Sequence, residues 1–179
     1  MSKLIVSSFV SLDGAVESPM TWASRFFDDE SQQYALERLR KAEYFLLGRV
    51  AYETFFPVWS KVQGNPYIAR INEMRKLVVS NTLVAADWNA EVVSGNVAAR
   101  IREIKASGSG DIVKYGVTNL DQTLLSNALI DEIHLWMMPT SVPQGKRAFA
   151  GIDPALINLE LSAVRTFKTN VAALHYRVR

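Results

Sequence analysis

The 179-residue chain has no cysteine. That excludes disulfides, thiolate nucleophiles and thiolate-bound metals, and it suits a reducing compartment. Phosphate fingerprints are missing too. Neither G-x-G-x-x-G nor G-x-x-x-x-G-K-[ST] occurs, and no serine stands in a G-x-S-x-G elbow. The two histidines, His134 and His175, have no carboxylate or histidine at ligand spacing, so both read as structural and no metal is expected. Long hydrophobic runs are absent. The apolar start soon meets Ser7, Ser8, Ser11 and Asp13, too short and polar for a signal peptide or a spanning helix. Nor does one sign of charge dominate: 20 Lys and Arg against 18 Asp and Glu leave a net charge of +2. No basic stripe interleaved with aromatics is found. The chain is therefore expected to be cytoplasmic, with no nucleic-acid and no membrane partner.

What remains is ample apolar material. Hydrophobic residues make up 49% of the chain, enough for one domain spanning 1–179 with its own core. Leu4 to Val10 reads as a strand stopped by Asp13-Gly14. Asp28-Asp29-Glu30 opens a helix, with Asp29 and Gln32 as an approximate capping box and Ala35, Leu36, Leu39 and Ala42 as its inner face. Tyr44 to Leu47 is a short strand, and a helix from near Val50 is expected to stop before Pro57. A helix follows over Asn65–Met74, then strands at Leu77–Val79 and Glu91–Val93. Asn96 caps a helix to Ala106, and Ser107–Gly110 is a loop. Asp111–Tyr115 is a strand, Leu120 to Ala128 a helix, and Glu132–Met138 a strand. The chain closes in a hairpin whose alternating sets are Leu159, Leu161, Ala163 and Ala172, Leu174, Tyr176, Val178. Strand–helix alternation predicts an α/β fold with a mainly parallel sheet and an antiparallel hairpin at its C-terminus.

In open α/β sheets, ligands bind beyond the carboxyl ends of the strands. Those ends are Asp13-Gly14, Gly48-Arg49, Ser80-Asn81-Thr82 and the turn starting at Tyr115-Gly116. Glycine lets a ligand approach the backbone, and helix N-termini attract phosphate. Arg49 adds a permanent forked cation that suits a phosphate monoester, although it also stands at i,i+4 from Glu53.

The residues now resemble a known family. Val6-Ser7-Ser8-Phe9-Val10-Ser11-Leu12-Asp13-Gly14 resembles the first strand and loop of the dihydrofolate reductase superfamily. The closer similarity is to the branch related to the C-terminal reductase domain of the bifunctional riboflavin-biosynthesis deaminase-reductase. Gly48-Arg49-Val50-Ala51-Tyr52-Glu53 resembles its G-R-x-T-[YW]-E. Lys76 to Leu83 resembles K-x-V-[VL]-S-x-T-L. The strand entering Gly116 resembles its G-[GS]-x-x-L turn, and Leu129–Ile133 its L-[VI]-D-E-[LI]. The motifs fall in family order over nearly the whole chain.

The resemblance implies a three-layer fold and NADPH as cofactor. It assigns cofactor binding to Asp13 and Gly14 near the nicotinamide, to Arg49 at the 2′-phosphate with Ser80 and Asn81 beside it, to the backbone of Gly48, Val50 and Ala51 near the phosphates, to Thr82, and to Gly116, Val117, Thr118, Asn119 and Leu120 as a second phosphate cradle. Asp28 or Asp29 is the catalytic candidate, orienting a substrate N–H or relaying a proton, with Glu30 competing. Ala51 stands where the family usually has Thr, and Val117 replaces a small residue after Gly116. The expected activity is hydride transfer to a C=N or C=O carbon of a small heterocycle, pteridine- or aminopyrimidine-like, by a homodimer. The alternative is a nucleotide-binding or regulatory protein on the same fold without turnover.

Overall fold

The computed structural model describes residues 2–179. The strands are β1 (Leu4–Ser11), β2 (Ala42–Gly48), β3 (Arg75–Val79), β4 (Ala90–Val93), β5 (Asp111–Tyr115), β6 (Glu132–Met138), β7 (Leu159–Thr166) and β8 (Ala172–Val178). The helices are α1 (Asp29–Arg38), α2 (Arg49–Trp59), α3 (Pro66–Glu73), α4 (Val97–Ser107) and α5 (Leu120–Ser126). The sheet order is β4-β3-β2-β5-β1-β6-β8-β7. β2 runs parallel to β3 and β5, β3 to β4, and β1 to β6. β8 lies antiparallel to both β6 and β7. This is the α/β architecture expected from the sequence, with its antiparallel C-terminal hairpin. The chain packs as two compact units.

The first unit takes residues up to Leu4 and Gln33–Lys114. Phe45, Leu46, Leu47, Leu77, Val78 and Ile112 are buried on both faces of its strands, as inner parallel strands require. Asn65 accepts the N–H of Ile68 and Asn96 that of Ala99, so α3 and α4 are capped by side chains. Two expectations fail here. α1 ends at Arg38, and Ala42 begins β2 instead of lining the helix. α2 does not stop before Pro57 but carries it inside and ends at Trp59. One stacked pair ends beside the proline and another spans it. Tyr52 and Phe56 lie 5.4 Å apart, Phe55 and Trp59 4.2 Å, both nearly parallel. Such aromatic pairs offset the hydrogen bond that proline removes.

The second unit takes Ile5–Gln32 and Tyr115–Arg179. Parallel pairing puts Ser7 beside His134, Phe9 beside Trp136 and Ser11 beside Met138. The buried face of β8 is Ala173 and His175, not the apolar set Leu174, Tyr176 and Val178, which is half-buried. Pairing decides this. Ala173 stands opposite Trp136 and His175 opposite His134, its ring tilted against that one at 4.1 Å, so the rings of β6 select a small neighbour and a ring neighbour. The cap of α1 also differs from expectation: Asp28, not Asp29, accepts the N–H of Ser31 at 3.0 Å.

Candidate active site

In the first unit the register of β2 with β3 places Gly48 beside Val79. Both strands end at that level, so Gly48-Arg49 and Ser80-Asn81-Thr82 emerge side by side from neighbouring parallel strands. Gly48 is the N-cap of α2 and gives it no side-chain cap. A Cβ at Gly48 would meet nothing within 4 Å, so the approach to the first amides of α2 is open. Arg49 is about half exposed and its Nη1 lies 3.1 Å from Glu53 Oε1. That exposed pair is the surface alternative the spacing suggested, and it leaves the guanidinium accessible.

Ser80 is buried and its hydroxyl oxygen accepts the amides of Thr82 and Leu83, at 3.2 and 2.9 Å. It shapes the turn that Asn81 and Thr82 present. Asn81 Oδ1 accepts the Gly95 amide at 3.2 Å, while Asn81 and Thr82 are exposed. Val50 is exposed and Ala51 half-buried in the first turn of α2. These residues fit a dinucleotide phosphate: an uncapped helix start, a forked cation and two exposed polar side chains at one level.

In the second unit the Gly116 turn is more self-contained. Gly116 has φ +78, which needs glycine. Its N–H donates to Ser7 O at 2.8 Å. The Thr118 N–H donates to the buried carboxylate of Asp121 at 2.7 Å. Val117 is buried. Lys146 Nζ donates to Asn119 Oδ1, and Leu120 starts α5. Two amides that a phosphate cradle would offer are therefore already bonded within the unit. Asp121 is a residue that motif matching passed over; its position three residues after Thr118 is the signal that points to it.

Asp13 also proves to be internally engaged. Its carboxylate accepts Ser11 Oγ at 2.5 Å, the Val142 amide at 2.9 Å and Ser141 Oγ at 3.0 Å. These bonds, led by Ser11, lower its pKa to about 2. Gly14 (φ +87) makes the turn that follows, and its carbonyl accepts the Ala148 amide at 2.8 Å. Asp13 thus ties the loop after β1 to residues 141–147.

Asp28 and Asp29 part company. The Asp28 carboxylate caps α1 through the Ser31 amide, and this bond holds its pKa below the usual carboxylate value. It is therefore an anion that can accept, not a proton store. Asp29 is exposed in the first turn, and Glu30 pairs with Arg165 at 3.1 Å. Beside Asp28 stands an aromatic cluster. Phe27 lies 5.1 Å from Phe9 and 5.7 Å from Trp136, and Trp136 stacks on Phe167 at 5.2 Å. Trp136 and Phe167 are buried, while Phe9 and Phe27 are half-buried. Trp136 Nε1 donates to Ser7 Oγ at 3.2 Å.

The strand order and the strand-end turns define a fold of the dihydrofolate-reductase type. A dihydrofolate reductase from Enterococcus faecalis, solved with NADP(H), shares it with a TM-score of 0.62 and 16% identity over 99% of this chain and 96% of that one. A pyrimidine reductase-like protein from Corynebacterium diphtheriae gives a TM-score of 0.71 at 12% identity, covering 99% and 92%. The chain matches the RibD C-terminal domain over residues 2–173 and belongs to that family. It is also 24% identical over 179 residues to the uncharacterized protein YyaP of Bacillus subtilis, covering 97% of this chain and 94% of that protein. Among the described residues, no helix is long and apolar enough to cross a membrane.

Proposed function

We propose that this chain is an NADPH-dependent reductase acting on a small planar heterocycle, pteridine- or aminopyrimidine-like. The observation that carries the reading is the register of Gly48 with Val79, which sets an uncapped helix start and Arg49 level with Ser80-Asn81-Thr82. Membership of the RibD C-terminal domain family supports it. So does the fold shared with an enzyme solved with NADP(H). NADPH, when bound, supplies the hydride. Arg49 would meet the 2′-phosphate, and the first amides of α2 a neighbouring phosphate.

In the second unit the half-buried rings of Phe9 and Phe27 offer an apolar surface for a planar acceptor. Asp28, held as an anion, would accept a substrate N–H and so orient the ring. Because that carboxylate does not hold a proton, the proton for the reduced substrate would come from solvent, directly or relayed through Asp29.

The test is a titration of the protein with NADPH, read by nicotinamide fluorescence and by melting temperature. Wild type is expected to respond, and Arg49→Ala to bind about ten- to a hundredfold more weakly, the worth of about 1.5–3 kcal/mol for a charge-assisted bond. No response at millimolar NADPH would sink the proposal. Binding without turnover of any pteridine or aminopyrimidine would favour the regulatory reading.

A homodimer is part of the proposal. Leu161 and Val164 on β7 are 51% and 53% exposed, and both share a sheet face with half-buried Leu174. Sedimentation velocity should find a dimer that Leu161→Glu with Val164→Glu converts to monomer; an unchanged dimer would place the interface elsewhere.

A further inference from the structure

The link between β3 and β4, residues 80–89, is wound against its own preferences at one end. β3 and β4 are parallel, with Lys76 opposite Ala90 and Val79 opposite Val93, so the link must return the length of a strand. A helix commonly makes such a return. Here residues 80–89 contain no helix or strand, so their path depends on how the two ends are anchored. The near end holds Ser80, Asn81 and Thr82. At the far end Trp88 has φ +70 and Asn89 φ +53. Bulky aromatics seldom adopt that region, and it persists only where the surroundings enforce it.

The enforcing contacts can be named. Lys76 is fully buried, and its Nζ donates to the carbonyls of Asn72 and Met74, both at 2.7 Å. The same ammonium lies 4.4 Å from the centroid of the Trp88 ring. Trp88 Nε1 donates to Asn72 Oδ1 at 2.7 Å, and the Lys76 amide donates to Asn89 O at 3.0 Å. Carbonyls at the end of α3 account for an ammonium there. They do not account for a tryptophan threaded through a left-handed turn to cover it. The residue before Trp88 is tied to α2: the Asp87 amide donates to Tyr52 Oη at 2.9 Å, and the Phe56 ring lies 6.0 Å from Trp88. Tyr52 and Phe56 stand on the helix whose first residue is Arg49.

We infer that Lys76, acting through the Trp88 ring, fixes the path of residues 80–89 so that Ser80, Asn81 and Thr82 stand correctly against the Arg49 end of α2, and thereby sets the preference for a dinucleotide bearing a 2′-phosphate. The inference rests on the nicotinamide-dinucleotide reading above. Lys76 and Trp88 are positioning residues: Lys76 is fully buried, and Trp88 lies at the opposite end of the link from Ser80.

The test measures dissociation constants of NADPH and NADH by calorimetry for wild type, Trp88→Phe and Lys76→Met, with the melting temperature of each. Trp88→Phe keeps a ring but loses the donor to Asn72. Both variants are expected to bind NADPH at least fivefold more weakly while the NADH constant moves less than twofold. A pH series adds a readout that general loosening would not give. Burial lowers the Lys76 pKa to about 8. The preference of wild type for NADPH should therefore decline between pH 7 and 9.5, and in Lys76→Met it should be flat. If Lys76→Met does not fold, Trp88→Phe and the wild-type pH series decide. A wild type that prefers NADPH, with variants that keep that preference or lose both nucleotides equally, overturns this inference alone. A wild type that binds neither nucleotide, or both equally, overturns the 2′-phosphate assignment and this inference with it.

Discussion

The ammonium of Lys76 faces the ring of Trp88 at 4.4 Å, with burial as the cause of its lowered pKa. The folded value is about 8 against an ordinary 10.5. Between those values the unfolded chain holds a proton that the folded chain has released, so stability gains with rising pH. The gain is complete above 10.5 and is lost as pH falls through 8. Urea unfolding of wild type and Lys76→Met across pH 7.5–10.5 should show their difference moving in favour of wild type. A difference independent of pH would contradict this.

Asp13 has the opposite placement, at the surface, but the same sign. Its folded pKa, about 2, lies below its ordinary 3.8 because Ser11, Val142 and Ser141 donate to it. The stability it contributes is present above about pH 4 and disappears as pH falls through 2. Asp13→Asn should melt with a flatter pH dependence than wild type over that interval, and residues 141–147 should become more accessible to protease.

Pro57 sits inside α2, where it removes the bond to the carbonyl four residues back. Pro57→Ala should raise unfolding free energy by roughly 1–2 kcal/mol, the restored helical bond minus the added freedom of the unfolded chain. Chemical denaturation measures it directly. A loss of stability would mean that the proline ring itself packs against the aromatic pairs.

The Asp121 carboxylate caps the Thr118 amide at 2.7 Å. Asp121→Ala should cost about 1.5–3 kcal/mol, the worth of a hydrogen bond to a charged group. Asp121→Asn keeps an acceptor and should cost less. If the two variants unfold alike, the bond contributes little.

Much of this fold can be read from the sequence because its signals are local. Asn65 and Asn96 announce the starts of α3 and α4, and the β-branched, apolar runs mark β1, β3 and β5. What escapes reading is decided by pairing across the sheet or by competition between neighbours. The β8 pattern offers Leu174 and Tyr176 as the inner face; only the presence of Trp136 opposite Ala173 reverses it. Asp28 and Asp29 are equivalent in sequence, and the fold gives the cap to the first. The proline at 57 reads as a stop because the pairs Tyr52–Phe56 and Phe55–Trp59 act only once the helix exists. At the candidate site, matching motifs finds Gly48-Arg49 and Ser80, whose neighbourhood follows from strand order. It does not single out Phe9, Phe27 and Asp121: the two rings meet each other and Phe27 meets Trp136, and Asp121 reaches back to the Thr118 amide, through contacts that only the fold makes.

The Thr118–Asp121 bond means that the second unit brings its own anion. A tethered carboxylate never diffuses away, and its effective concentration at the Thr118 amide is fixed by three residues of chain rather than by supply. Any phosphate approaching that amide competes with a resident occupant whatever the cellular pool of dinucleotide. The two turns, alike in sequence as strand-end glycines, differ in whether they are open to exchange: the helix start after Gly48 has no side-chain cap, and the amide after Val117 is already taken.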